Sequence, residues 1–304
     1  MCKTGIWSIT ITGSLLVSSA YGVSYGFSDY YFVDPNTHWH MEGRYRHIGA
    51  AEFEKHKYGH INYADANTGI FYNHSFDEDN AISYEVEYDY LKVDWAKNPR
   101  FRETVFNYFG GSVGFISTEI EKWRWVMNAG FSVDADGFNF GKTGVYHGML
   151  WGRYNFADGA GVNVGVMGWY GILNGYVMPI FGFDWFWGKH TKFNLIFPLN
   201  ASITYSFNPH WSLEALYSGF GGPYKYPRRA SEGIGDYHNP IFKLYSSGAD
   251  LNLNYAYNNT IRASVGGGWN FGGWMLIKNH TNHHGSYYKY NSAPYAQGSL
   301  AFSF

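Results

Sequence analysis

Residues 193–207 read FNLIFPLNASITYSF. Every odd position there is apolar or aromatic: Phe193, Leu195, Phe197, Leu199, Ala201, Ile203, Tyr205 and Phe207. The even positions Lys192, Asn194, Asn200, Ser202, Thr204 and Ser206 are polar, and only Ile196 and Pro198 interrupt them. In an extended chain successive side chains point to opposite faces, so the stretch reads as a strand with one apolar and one polar face. Its length exceeds the ~5 to 6 residues usual in globular sheets and covers the ~9 to 11 that a tilted strand needs to cross a bilayer.

The same alternation recurs on both sides of this stretch. Trp123, Trp125, Met127, Ala129, Phe131 and Val133 oppose Lys122, Arg124, Asn128, Ser132 and Asp134. Ile261, Ala263, Val265, Trp269 and Phe271 oppose Thr260, Arg262, Ser264 and Asn270. Ile82, Tyr84, Val86, Tyr88 and Tyr90 oppose Ser83, Glu85, Glu87 and Asp89, while Leu251, Leu253, Tyr255 and Tyr257 oppose Asn252 and Asn254. Weaker segments at 68–76, 104–117, 144–155, 161–172, 176–187, 210–220 and 294–304 bring the expectation to about 12 strands, with a range of 10–14. The fold class expected is all-β: a single antiparallel up-and-down transmembrane β-barrel.

Turn chemistry separates the segments at Asp77–Asn80, Ala157–Ala160, Asn208-Pro209-His210 and Asn258-Asn259. With twelve strands, the long gaps 221–242 and 272–293 fall on the outer side, and the short turns at 208–210 and 258–259 on the inner side. The moderately long gap 91–103 then also falls inside, against the pattern. Tyr45–Glu54 and His60–Ala66 read either as an added hairpin, which makes fourteen strands, or as an irregular segment.

Composition narrows the destination. The 304-residue chain carries 21% aromatic residues, 38 Gly and only 15% charged residues, a mixture suited to strands and tight turns. A formal net charge of −2 offers no clustered basic face, so nucleic acid is excluded as a partner. Lys3, the apolar stretch Ile6–Val17 and the small residues Ser18-Ser19-Ala20 form the layout of an export signal over residues 1–20, which carries the lone cysteine, Cys2, with it. That leaves an N-terminal segment at 21–66 and the barrel at 67–304. No later segment approaches the ~18 consecutive apolar residues of a spanning helix.

The chain ends Leu300-Ala301-Phe302-Ser303-Phe304, with apolar residues alternating up to a terminal aromatic. This resembles the C-terminal signal of Gram-negative outer-membrane barrel proteins, with Leu300, Phe302 and Phe304 as the assembly signal. The resemblance implies the barrel assembly machinery and outer-membrane lipids as partners, and the cell outer membrane as location. Phe181 to Tyr224, with its Phe-Gly-Phe-Asp-Trp entry, Phe197-Pro198, Tyr205, Trp211-Ser212-Leu213 and Gly222-Pro223-Tyr224, resembles uncharacterised outer-membrane barrel families with no assigned activity.

The chemistry-bearing residues do not assemble an enzyme. A barrel hydrolase needs His and Ser two positions apart on one strand, so that both share a face. His74-Ser75 are adjacent and face apart, and His284-Gly285-Ser286 lies in an outer loop. The histidine groups His38/His40 and His280/His283/His284 lack the cysteine or spaced carboxylate that would complete a metal shell, and read as solvated loop residues. The expectation is therefore no enzyme and no cofactor. The polar faces gather Glu85, Glu87, Asp89, Lys122, Arg124, Asp134, Arg153, Asp184, Lys192, Glu214 and Arg262 as lumen-lining residues. They form either a narrow polar channel for an unidentified small solute, the favoured reading, or a salt-bridged filling of a closed structural barrel. A lipid-modifying hydrolase and a secreted carbohydrate-binding sandwich are the remaining alternatives.

Overall fold

A computed structural model describes residues 38–97, 105–157, 159–172, 175–198, 200–225, 240–257, 260–279 and 285–304. Residues 1–37, including the expected export signal, lie outside the described residues, as do His280, His283 and His284.

The strands, in chain order, are β1 (Trp39–Glu52), β2 (His60–Ser75), β3 (Asn80–Trp95), β4 (Val105–Ser117), β5 (Trp123–Asp134), β6 (Val145–Ala157), β7 (Ala160–Tyr170) and β8 (Tyr176–Trp187). They continue with β9 (Thr191–Phe197), β10 (Asn200–Ser206), β11 (Trp211–Phe220), β12 (Pro223–Lys225), β13 (Pro240–Tyr257), β14 (Ile261–Asn279), β15 (Gly285–Tyr290) and β16 (Ala293–Ser303). Every pairing is antiparallel, and β16 closes on β1 from His40↔Ser303 to Ile48↔Tyr295. The ends of the ring lock where Trp39 and Phe304 exchange backbone hydrogen bonds of 2.8 and 2.9 Å. The result is a closed barrel of 14 strands, with β12 and β15 as additional strands outside the ring.

Two expectations are corrected, and together they account for fourteen strands in place of twelve. Trp39–Glu52 is a barrel strand, pairing with both β2 and β16. Residues 193–207 are not one strand but two, β9 and β10, folded back at Pro198 with Asn200 opposite Ile196 and Ile203 opposite Phe193. Odd pairs with odd in that register, so the apolar alternation passes through the turn without a change of phase. The sequence signal that marks the reversal is Pro198, which cannot donate to a central ladder.

The added strands also settle the exception at 91–103. The start of β1 and the end of β16 lie at one end, called the terminal end, with the short connections 76–79, 188–190 and 207–210. The connection after β3 joins the longer ones at the opposite end, here called the mouth, together with those after β12 and β14. At the terminal end the Asp77 carboxylate accepts hydrogen bonds from the backbone N–H groups of Asp79 (2.9 Å) and Asn80 (2.8 Å), an Asx turn that fixes the β2–β3 hairpin. Those bonds hold its pKa below the ordinary carboxylate value.

The outer face of the ring is apolar and the inner face polar over most of its circumference. On β3, Tyr84 and Val86 are exposed on the outside while Ser83 and Glu87 are buried inside. At the mouth the hairpin β13–β14 overshoots the ring: β11 pairs with β13 only from Ser246 onward, and β16 with β14 only up to Asn270. Beyond these points β12 and β15 take over as neighbours, giving a four-stranded extension. Gly272, at φ +89°, carries the bulge where this extension departs, in a conformation that favours glycine; an added Cβ there would lie 2.8 Å from the Tyr290 carbonyl. The extension leans across the mouth as a cap.

Candidate functional site

The lumen divides into a polar network and an apolar cap seat. Near the terminal end His40 Nδ1 lies 2.8 Å from Ser303 Oγ, and its Nε2 is 3.5 Å from a Glu42 carboxylate oxygen. Higher on the same face Arg46 forms a fork on Asp65, with Nε donating to Oδ2 at 2.9 Å and Nη2 to Oδ1 at 3.0 Å. Arg44 approaches the same carboxylate at 3.5 Å. The Arg46 guanidinium also sits 3.9 Å from the centre of the Phe220 ring.

On the neighbouring strands Asn67 donates to Asp89 (2.7 Å), Ser112 to Glu85 (2.7 Å) and Asn128 to Ser112 (2.9 Å). Gly110 leaves the space that Glu87 occupies, since a Cβ there would meet Glu87 Oε1 at 2.5 Å. Across the barrel Arg153 Nε donates to Asp184 Oδ1 at 2.9 Å, Asn163 donates to the same oxygen at 2.8 Å, and Trp151 Nε1 donates to Asn163 at 3.0 Å. Arg153 also donates to Asn155. A third group joins Tyr295 to Asp250 (2.6 Å), Asn252 to Asp250 (2.5 Å) and Gln297 to Asn252 (2.8 Å).

The residues expected on the polar faces fall as follows. Glu85, Glu87, Asp89, Asp134, Arg153 and Asp184 are inward and half-buried or buried. Lys192 is half-buried on the inner face of β9, and Glu214 accepts a 3.4 Å hydrogen bond from Asn254. Arg124 lies directly opposite Arg153 on the inner wall, and Arg262 is inward but exposed near the terminal end. Lys122 departs from the set: it is exposed in the β4–β5 turn at φ +66° and does not share the inner face. Sequence reasoning missed Glu42, Arg44, Arg46 and Asp65, although their alternation with Trp39, Met41 and Tyr45 carries the same signal as the later strands.

The cap seat is apolar. Phe242, Leu244, Met275, Ile277, Tyr288 and Tyr290 from the extension are buried against Ile48, Phe53, Ile61, Tyr63, Val93, Trp95 and Phe106 from the inner mouth of β1–β4. Phe242 stacks on Phe106 with centroids 5.1 Å apart and planes 9° from parallel. The cap tip, Ile241, joins a second cluster with Val145, Trp169, Ile172, Ile180 and Ile196 on the far wall. The cap therefore touches both sides of the mouth.

Of the histidine candidates, His38 Nδ1 lies 3.3 Å from the Asn73 carbonyl, while His40 has the Ser303 and Glu42 contacts given above. Among the described residues no group of three His, Cys, Asp or Glu side chains could hold a metal ion. His74 is exposed on β2 and Ser75 half-buried beside it, and Ser286 lies on β15 in the cap.

No family model matches the chain. A protein of Chlamydia trachomatis serovar D described as "Uncharacterized protein" is 23% identical over 85% of this chain and 93% of its own length. One of Chlamydia muridarum, described in the same words, is 22% identical over the full length of both. Among solved structures, outer-membrane barrels overlap it: the KdgM porin in complex with disordered oligogalacturonate (11% identity, 86% of this chain and 99% of that one, TM-score 0.35) and a bacterial polysaccharide outer membrane secretin (10%, 89% and 100%, 0.42). The Pseudomonas putida toluene transporter TodX overlaps 96% of this chain and 98% of its own at 10% identity and TM-score 0.37.

Proposed function

We propose that the protein is an integral outer-membrane barrel whose narrow polar lumen is held shut at the mouth by the β12–β15 cap, a gated path for small solutes. The outer wall supports the membrane reading. Its lipid-facing positions are apolar, and aromatic rings crowd both rims: Trp123 stacked on Trp125 and Trp185 stacked on Phe193 towards the terminal end, Tyr146, Tyr170 and Phe271 towards the mouth. In this reading residues 1–20 are an export signal, the start of β1 and the end of β16 face the periplasm, and Leu300 and Phe302 on the outer face of β16, with Phe304 just beyond it, serve barrel assembly.

The observation that carries gating is the cap itself, an apolar insert seated on a polar-lined barrel, continuous with it through the extensions of β13 and β14 and tied to the end of β1 by the backbone hydrogen bonds Glu54 N–H to Lys289 O (3.0 Å) and Asn291 N–H to Glu52 O (2.8 Å). The registers supply a test. Phe220 pairs with Ser246 and Asn270 with Ala293, so removing residues 223–245 and 273–292 leaves Gly221-Gly222 and Phe271-Gly272 as two-residue turns on an intact ring. In planar bilayers the full protein should be nearly silent and the trimmed one should show discrete conductance steps. A trimmed protein that migrates as a folded, heat-modifiable barrel and stays silent overturns the channel. The paired carboxylates Asp65 and Asp184 support the second reading in that event, a closed barrel whose ion pairs serve rigidity.

A further inference from the structure

The wall of the barrel is uneven. β9 and β10 are 7 residues each, while their neighbours β8 and β11 run 12 and 10. The β8–β9 ladder begins at Phe181↔Phe197, so among the described residues Tyr176–Ile180 of β8 has no strand partner on that side. The β10–β11 ladder ends at Ala201↔Tyr217, which leaves the edge of β11 beyond Tyr217 open as well. Among the described residues no strand fills the mouth half of the wall between these two edges, a notch of three strand spacings, about 14 Å at ~4.8 Å each.

The notch is lined on the outside by Val177, 77% exposed, and by Phe181 and Phe197, whose rings lie 5.1 Å apart. This apolar surface is continuous with the lipid-facing wall below it. A cation stands at its upper rim. Lys243, on the cap strand β13, places Nζ 6.0 Å from the ring of Tyr176, 5.3 Å from Tyr245 and 5.5 Å from Trp274. Lys278 shares its face, two residues along β14 from the Leu276 that pairs with Lys243. Among the described residues no carboxylate lies within ion-pair distance of either lysine.

We propose that the β8–β11 notch binds a single-chain anionic amphiphile from the outer leaflet, its head on Lys243 and its chain along Val177, Phe181 and Phe197. The chemistry follows from the two halves of the site. A lysine ringed by aromatic faces, with no carboxylate beside it among the described residues, is complemented by an anionic head, and a gap in a lipid-facing wall admits an apolar chain without exposing it to water. The proposal rests on the membrane-barrel reading, not on the channel.

The test uses the folded full-length protein in phosphatidylcholine vesicles, with a fluorescent medium-chain fatty acid as probe and the alcohol of the same chain as its neutral counterpart. Lys243→Gln should weaken binding of the acid at least tenfold, Lys243→Arg should retain it, and the alcohol should bind wild type as weakly as the acid binds Lys243→Gln. Val177→Asp, which leaves the cap untouched, should weaken the acid as well. Equal binding of acid and alcohol, or an unchanged affinity in Lys243→Gln, overturns the site. Heat-modifiable migration is read on every sample: a wild-type chain that never yields a folded, vesicle-inserted barrel refutes the barrel reading, whereas a folded barrel that ignores the acid refutes only the notch.

Discussion

The two ends of one lumen are built on opposite principles. Below the cap seat the inner wall is held by directional bonds: the Arg46–Asp65 fork, the Asn67–Asp89 and Glu85–Ser112–Asn128 chain, and Arg153 on Asp184. At the mouth the same faces of β1–β4 turn apolar, and contact is made through Phe242, Leu244, Met275 and Ile277. Hydrogen bonds and ion pairs demand fixed geometry and penalise any opening that leaves a charge alone, while an apolar seat is non-directional and re-forms after sliding. If the cap gates the barrel as proposed, motion belongs to the mouth and the polar cylinder stays rigid.

Removing a contact from each end tests that division. The largest effect is expected from Phe242→Ala. The ring is fully buried and stacked on Phe106, and truncations of this kind cost about 3–5 kcal/mol. That loss should appear locally, as protease cleavage of the cap and rising conductance, with the barrel still heat-modifiable. Uniform destabilisation of the whole barrel by this change would break the comparison, because it would make the cap part of the cylinder.

Arg153→Ala should act the other way. It strands the Asp184 carboxylate against Asn163, and since Arg153 is partly open to solvent the cost is reduced to roughly 3 kcal/mol or less. Urea unfolding of the inserted barrel should report it globally, with no gain in conductance. An opened pore without a loss of global stability would show that the polar end, and not the cap, sets the closed state.

The smallest effect belongs to the turn outside both regions. Asp77→Ala removes the Asx bonds to Asp79 and Asn80, and because the folded-state pKa is lowered, the contribution is present at neutral pH. It fades as pH falls below the ordinary value of 3.8. Wild type and variant should therefore differ slightly in unfolding midpoint at pH 7 and converge in acid. A difference that grows on acidification would invert the assignment.

Much of the polar end was legible beforehand, because alternation assigns a face to each residue without knowledge of its neighbour. Glu85, Glu87 and Asp89 were placed inward by Tyr84, Val86 and Tyr88 alone. Lys122 was misplaced because its segment turns one residue before the strand begins, where φ is positive and face assignment has no meaning. Arg46 and Asp65 go unassigned because 45–54 and 60–66 read equally as an added hairpin or an irregular segment, although Trp39–Arg46 alternates as cleanly as the later strands.

By itself the sequence determined which side chains of its regular strands face outward and which face inward, because the two-residue period is a local property of extended backbone. Tertiary structure alone decided the strand number, the partners and the closure of the mouth. A hairpin that pairs odd with odd preserves the period through its turn, so residues 193–207 look alike as one strand or two until Asn200 is seen opposite Ile196. The cap is hidden for a related reason. At the Gly272 bulge the inward set on β14 shifts from Gly268 and Asn270 to Met275 and Ile277, and only the packed mouth shows where that face goes.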